Sequence, residues 1–217
     1  MMNELGSAWQ LVGSDSTAHQ RIGFGSSILR ADYGALLVDP PWQFRSWSDK
    51  GRNRCPDAMV RQKGLAERHY SVMSQADLTN LPIASIAASD SVLFMWIVAC
   101  HLPEGLELGT AWGVKFKGLA VDWVKQTKDS DGLAFGMGYW TRQQTEQCWL
   151  FTRGHPKVNS HSVRQAIMAP RREHSRKPDE IYERVETLVS GPYIELFARH
   201  RWPGWDSWGN QLENEHD

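Results

Sequence analysis

The sequence predicts an α/β fold on a largely parallel sheet. The first observation is a near-continuous apolar run from Ser91 to Val98, the pattern of a strand covered on both faces. The second is alternation: apolar runs of strand length are separated by stretches with helical start and stop signals. The third is size. A chain of 217 residues, 41% hydrophobic and 23% charged, fits one domain with a substantial core.

The elements follow in order. Residues 1–27 are rich in Gly, Ser and polar side chains and read as an irregular arm. Ala35 to Val38 is a short apolar strand, stopped by Pro40 and Pro41 because proline cannot continue a ladder. Residues 43–68 read as a loop, broken by Gly51, Pro56 and Gly64, with seven positive residues against three negative. Ser74 to Leu81 reads as a helix, with Ser74 as N-cap and Asp77 three residues on. The Ser91 strand comes next, then a helix from Pro103 to Trp112 ended by Gly113. Leu119–Val124 and Gln147–Thr152 are strands, and Ile167–Pro170 an edge piece. Pro178 to Val189 has proline near its start, acids in its first turn and a stripe of Ile181, Val185 and Leu188, so it reads as a helix. Tyr193 to Ala198 is expected as the last strand, and 213–217 as an acidic tail.

Composition excludes several classes. The formal net charge is −1, so any nucleic-acid surface must be local. Cys55, Cys100 and Cys148 are far apart and odd in number, with no CxxC pair. The expectation is three free thiols rather than a disulfide framework or zinc site. Eight histidines show no HxxxH or HExxH spacing, so no metal is expected. No apolar run is long enough to span a bilayer, and the N-terminus has no signal-peptide pattern, so a cytoplasmic protein is expected. Of the eleven tryptophans, one or two could stack on a base. Most belong in the core, and Trp202, Trp205 and Trp208 are expected to anchor a C-terminal loop. A second basic segment, from Lys157 to Lys177, carries six positives against one acid and suits phosphate contacts as well as a solvated face.

The chemistry-bearing motif is Asp39-Pro40-Pro41-Trp42. In open α/β sheets, ligands bind beyond the carboxyl ends of strands, where this tetrapeptide sits. Asp39 offers a carboxylate, and Pro40 a carbonyl without an N–H. Consecutive prolines keep both acceptors aimed. Such a pair suits an aromatic amine, which must pyramidalise to attack an electrophile. Trp42 is expected to stack on a base. Glu195, at the end of an apolar strand, is where a dinucleotide-type fold puts a ribose-binding acid. No GxGxxG is present.

Beyond the tetrapeptide, several blocks occur in a fixed order: His69-Tyr70-Ser71-Val72-Met73-Ser74, Leu93-Phe94-Met95-Trp96-Ile97, Val121-Asp122-Trp123-Val124-Lys125, Gly138-Tyr139-Trp140 with Glu146, Lys177-Pro178-Asp179-Glu180-Ile181-Tyr182, Glu195-Leu196-Phe197-Ala198-Arg199, and Trp208-Gly209-Asn210-Gln211-Leu212. Together they resemble the adenine N-6 methyltransferase family typified by the seventy-kilodalton catalytic subunit of the messenger-RNA adenosine methylase. The likeness covers about Ala35 to Leu212, with a frequent glycine replaced by Ala198.

The resemblance implies a Rossmann-like methyltransferase domain over 28–212, with helices on both faces of a mostly parallel sheet and the catalytic motif ahead of the cofactor strand. It implies S-adenosylmethionine as cofactor. Lys177 would neutralise its methionine carboxylate, Phe197 would line the adenosine pocket, and Arg199, Asn210 and Gln211 would hold ribose and adenine. Arg201 stands where the family often has histidine near the same ligand. Tyr70 and Trp140 would border the target base. The implied substrate is adenine in nucleic acid, DNA ahead of RNA because the chain shows no RNA-binding module. A non-catalytic subunit and transfer to the cytosine amine are the alternatives. No membrane partner is expected, and a dimer is left open.

Overall fold

The computed structural model describes residues 10–12, 21–24, 27–42, 73–128, 132–136, 140–172, 176–210 and 212. Among them an eight-stranded sheet has the order β1-β10-β9-β4-β5-β7-β6-β8. Its strands are β1 (Gln10–Val12), β4 (Tyr33–Val38), β5 (Ala87–Ile97), β6 (Lys115–Gln126), β7 (Thr145–Arg153), β8 (Ala166–Pro170), β9 (Tyr193–Leu196) and β10 (Trp205–Gly209). β2 (Arg21–Phe24) and β3 (Ser27–Arg30) form a separate antiparallel pair. The pairings make six of the eight strands run one way, with β1 and β7 reversed. The chain builds outward from β4 through β5 to β8, then returns to lay β9 on the other side of β4. That reversal at β4 is the switch point where an open sheet offers a crevice.

Side-chain alternation explains how both faces are covered. Ala35 and Leu37 of β4 join Val92, Phe94 and Trp96 of β5 in one core. Leu36 and Val38 join Leu93, Met95 and Ile97 in the other. Helix α4 (Glu180–Leu188) seals the first core through Ile181, Tyr182 and Val185. Helices α1 (Gln75–Thr79), α2 (Ile83–Ile86) and α3 (Leu102–Ala111) seal the second through Leu78, Ile83, Ile86 and Leu108. α3 sits close because Gly105 and Gly109, one turn apart, face the sheet. A Cβ on Gly105 would lie 2.4 Å from Ile97 Cδ1, and one on Gly109 would lie 2.5 Å from Phe151 Cε1.

The tryptophans are mostly structural. Trp112 Nε1 donates to Leu78 O at 3.0 Å, tying α3 to α1. Trp123 Nε1 donates to Ala169 O at 2.9 Å, tying β6 to edge strand β8. Ser74 caps α1 as expected: its hydroxyl accepts from Asp77 N–H at 3.1 Å.

Four expectations are corrected. The arm over 1–27 is not uniformly irregular: Gln10–Val12 pairs with β10, and Arg21–Phe24 pairs with β3. The last strand is β10, not β9. Trp205-Asp206-Ser207-Trp208-Gly209 is buried throughout, and its polar Asp206 is satisfied by the Tyr33 hydroxyl at 2.5 Å. That buried polar pair hid the strand from a hydropathy reading. β6 begins four residues before Leu119 because two bulges, around Gly118 and before Val121, slip its alternation. Cys148 is free and buried, but Cys100 is disulfide-bonded rather than a free thiol. The 43–68 loop lies outside the described residues. Among the described residues no helix is long and apolar enough to cross a membrane.

Candidate active site

β4, β5, β6, β8, β9 and β10 all end on one edge of the sheet, and β7 begins there. The site grows from these ends. After Val38 the chain can no longer pair, and Asp39 emerges beside the end of β9, with its N–H 3.5 Å from Leu196 O. The two prolines then turn the chain. Trp42 N–H donates to Pro40 O at 2.8 Å, and Met73 N–H donates to Pro41 O at 3.1 Å. Pro40, Pro41 and Trp42 are all buried.

Trp42 does not meet the expectation of an open stacking platform. It is 6% exposed and lies in the α1–α3 core. Its ring stacks on His101 with centroids 5.4 Å apart and planes 11° off parallel. His101 belongs to the short turn Ala99–His101 that follows β5. Burial lowers its pKa, with Glu104 pulling the other way, so the ring is neutral near pH 7. The motif's apolar end is thus built into the fold, while its carboxylate faces the edge.

That carboxylate ends a chain of alternating charges. Lys177 Nζ lies 2.8 Å from Asp39 Oδ2 and 3.5 Å from Glu146 Oε2. Glu146 in turn pairs with Lys125 through a short contact at Oε1. The Lys177 ammonium lies 5.5 Å from the centroid of the Trp96 ring, at the end of β5. It therefore bridges from β4 to β7 across β5. Asp39, Lys177 and Glu146 are all mostly buried. Burial alone would lower the Lys177 pKa, but Asp39 and Glu146 outweigh it and raise it. Burial alone would raise the Glu146 pKa, but Lys177 and Lys125 outweigh it and hold it below the ordinary range. Both groups are ionised at neutral pH.

Beneath this row, Glu195 faces α4. Its Oε2 accepts from the Tyr182 hydroxyl at 2.8 Å, and the same hydroxyl lies 3.2 Å from His200 Nε2. Burial pushes the Glu195 carboxyl up to about 8, against the Tyr182 hydrogen bond that lowers it. Tyr182 is itself stacked on Trp202, with centroids 4.5 Å apart. Through Tyr182, Glu195 ties the end of β9 to α4.

β9 ends abruptly at Phe197, whose φ of 64° is left-handed and unusual for a residue with a Cβ. The turn is locked by Ala198 N–H donating to Trp208 O at 3.0 Å, and Phe197 packs edge-on to Trp208. Arg199, Arg201 and Asn210 leave the ends of β9 and β10 here, half-buried. Trp140 stands in the β6–β7 connection, 92% exposed. Tyr70 and Gln211 lie outside the described residues. Of the basic segment, Arg172 and Arg176 close on Asp179 at 2.5 Å and 3.1 Å, at the head of α4. Both stay exposed while pairing with Asp179.

Asp39 and Lys177 are thus brought into contact, with Phe197 and Arg199 across the β4–β9 crevice. The partners that carried no role in the sequence include Lys125, and His101 behind Trp42. A lysine closing an apolar strand was the available sign for the first; nothing in spacing marked the second.

The family model described as MT-A70 matches residues 33–211. A type II methyltransferase, M.MunI, from Mycoplasma sp is 29% identical over 191 residues, which cover 84% of this chain and 79% of that protein. An N(6)-adenosine-methyltransferase MT-A70-like protein of Arabidopsis thaliana is 29% identical over 83% of this chain and 24% of its own. The human N(6)-adenosine-methyltransferase catalytic subunit METTL3 is 27% identical over 95% of this chain and 34% of its own. With matched blocks running from β4 to the end of β10, the chain belongs to the MT-A70 family.

Proposed function

We propose that this chain transfers a methyl group from S-adenosylmethionine to the exocyclic N-6 amine of adenine in DNA. The observation that carries the reading is Asp39 at the tip of β4, gripped at one oxygen by Lys177 and followed directly by the Pro40 carbonyl. An aromatic amine is a weak nucleophile because its lone pair is delocalised into the ring. Two acceptors on its N–H bonds favour the pyramidal nitrogen and offset the positive charge that develops there. Lys177 holds Asp39 Oδ2, so Oδ1 is the acceptor for the amine. The Pro40 carbonyl has one lone pair on Trp42 N–H and keeps a second for the substrate. After transfer the nitrogen must shed a proton, and the Asp39 carboxylate receives it. A duplex target must be flipped out, since the amine is paired inside the stack. Tyr70 and Trp140 border the base in this reading.

The donor set fits S-adenosylmethionine, which supplies an electrophilic sulfonium methyl when bound. Lys177, the cation that bridges Asp39 and Glu146, is the charge for the methionine carboxylate. Phe197 gives an apolar wall for the adenosine. Arg199, Asn210 and Gln211 supply hydrogen bonds to ribose and adenine, with Arg201 beside them. Glu195 serves by holding the end of β9 through Tyr182.

DNA is favoured because a match spanning most of both chains is to a type II methyltransferase. RNA is the second reading, supported by relatives whose names specify adenosine, each matched over about a quarter to a third of its length. A soluble cofactor and a nucleic-acid substrate put the enzyme in the cytoplasm.

The test is a nucleoside digest of DNA and RNA from cells expressing the wild type or Asp39→Ala, with matched oligonucleotide assays. N6-methyldeoxyadenosine made by the wild type alone is expected. The modified base in RNA alone would transfer the reading to RNA. Methylated cytosine would move it to another amine, and equal transfer by both proteins would remove Asp39.

A further inference from the structure

The connection from β6 to β7 is pinned beside the charge chain. Thr127 N–H donates to Gly132 O at 2.8 Å, Ala134 N–H to Lys125 O at 2.7 Å, and Lys125 N–H to Gln144 O at 2.8 Å. At Gly136 the backbone runs so close to Gln143 that a Cβ would lie 1.6 Å from its carbonyl oxygen. Ala134 is buried. Phe135, held between these two anchors, is 69% exposed. A frayed tip could expose a ring by accident, but a residue with both neighbours fixed presents one by construction. The ring is backed by charge: the Arg142 guanidinium carbon lies 5.0 Å from its centroid. Exposed Arg171 is tied to the same strand end, its N–H donating to Gln126 O at 3.1 Å.

We propose that Phe135, backed by Arg142, is a stacking platform for a base that neighbours the target nucleotide. This rests on the nucleic-acid reading above. Flipping one base strips its neighbours of a stacking partner, and an exposed ring at the rim replaces it. Charge decides the occupant: an aromatic ring backed by the Arg142 guanidinium suits a base and its phosphate, whereas a second copy of the chain would bury that guanidinium against apolar surface at a cost.

The experiment measures direct binding, by fluorescence anisotropy, of wild type, Phe135→Ala and Phe135→Trp to oligonucleotides carrying one target adenine. In companion oligonucleotides a single abasic nucleotide replaces each flanking position in turn. Phe135→Ala is expected to weaken binding roughly 5- to 100-fold, the range set by one base–aromatic stack. That loss should vanish at one abasic position, while Phe135→Trp binds as the wild type does. A role in the fold alone would lower affinity equally for every oligonucleotide, and that result overturns the proposal. So does a Phe135→Ala protein whose sedimentation shows a lost dimer and whose binding loss ignores the abasic position. Binding is read without turnover, so coupling to one abasic position together with an absence of methyl transfer would fault the proposed reaction and leave the platform standing.

Discussion

Lys177 and Asp39 meet across 138 positions of sequence, Nζ to Oδ2 at 2.8 Å, and the same ammonium reaches Glu146. One cation thus bridges two carboxylates, Asp39 just past β4 and Glu146 in β7. Lys177→Met leaves both without their shared counter-ion and is expected to cost about 3–5 kcal/mol of stability, the usual penalty for breaking a buried pair. It is also expected to weaken S-adenosylmethionine binding in calorimetry. Unchanged melting and unchanged cofactor affinity would together remove Lys177 from both roles.

Stability should respond to pH with two opposite signs. The folded pKa of Glu195, about 8, lies above its ordinary 4.5, so the native state binds more protons in between. Its contribution is fully present below about 4.5 and is lost as pH rises through about 8. Glu146 is held low, so its contribution is present above its unfolded pKa and is lost as pH falls through the folded value. Glu195→Gln should flatten the decline between pH 4.5 and 8 in chemical denaturation while leaving the acid limb in place. A decline that persists in the variant would assign it to another group.

Trp42 ends the Asp39–Trp42 tetrapeptide, and His101 lies parallel against it. His101→Ala is expected to cost about 1 kcal/mol beyond lost contact area, the worth of one aromatic pair. It should also slow methyl transfer more than it weakens cofactor binding. His101→Phe keeps a stack and should recover most of both. Equal behaviour of the two variants would show that the ring's flat face is not what matters.

Gly209 passes so near Ala198 that a Cβ would lie 2.0 Å from its carbonyl oxygen. The obstacle is backbone, which has little room to yield. Gly209→Ala is therefore expected to destabilise by about 1–3 kcal/mol, as overpacking does. It should also loosen the turn from which Arg199 and Asn210 emerge. A melting temperature equal to wild type would mean the two strand ends can part freely.

Much of this was legible in the residues. β4 and β5 declared themselves because a strand buried on both faces has no polar alternation to confuse it. α4 was readable from Pro178 and the Ile181–Val185–Leu188 stripe. The tetrapeptide's position at a strand tip followed from what proline forbids. β10 was illegible because it carries buried Asp206 and Ser207, and the partner that satisfies Asp206, Tyr33, is 173 positions away in sequence. The role of Trp42 was misjudged for a related reason: an aromatic beside a carboxylate reads as a platform until the turn after β5 is seen to cover it. Lys125 and Glu146 belonged to quoted blocks, but their pairing depends on β6 and β7 lying side by side. That is a property of topology rather than of either segment.

The four charged groups Asp39, Lys125, Glu146 and Lys177 come from four separate stretches, and the last of them arrives only after β8 has been laid down. Loops of this length close slowly, and their entropy must be spent before the contact repays it. The row is therefore expected to form among the latest features. A growing or half-refolded polypeptide would hold its tetrapeptide at the tip of β4 and still be inert, so methyl transfer should recover on refolding only in step with the slowest phase that reports the whole sheet.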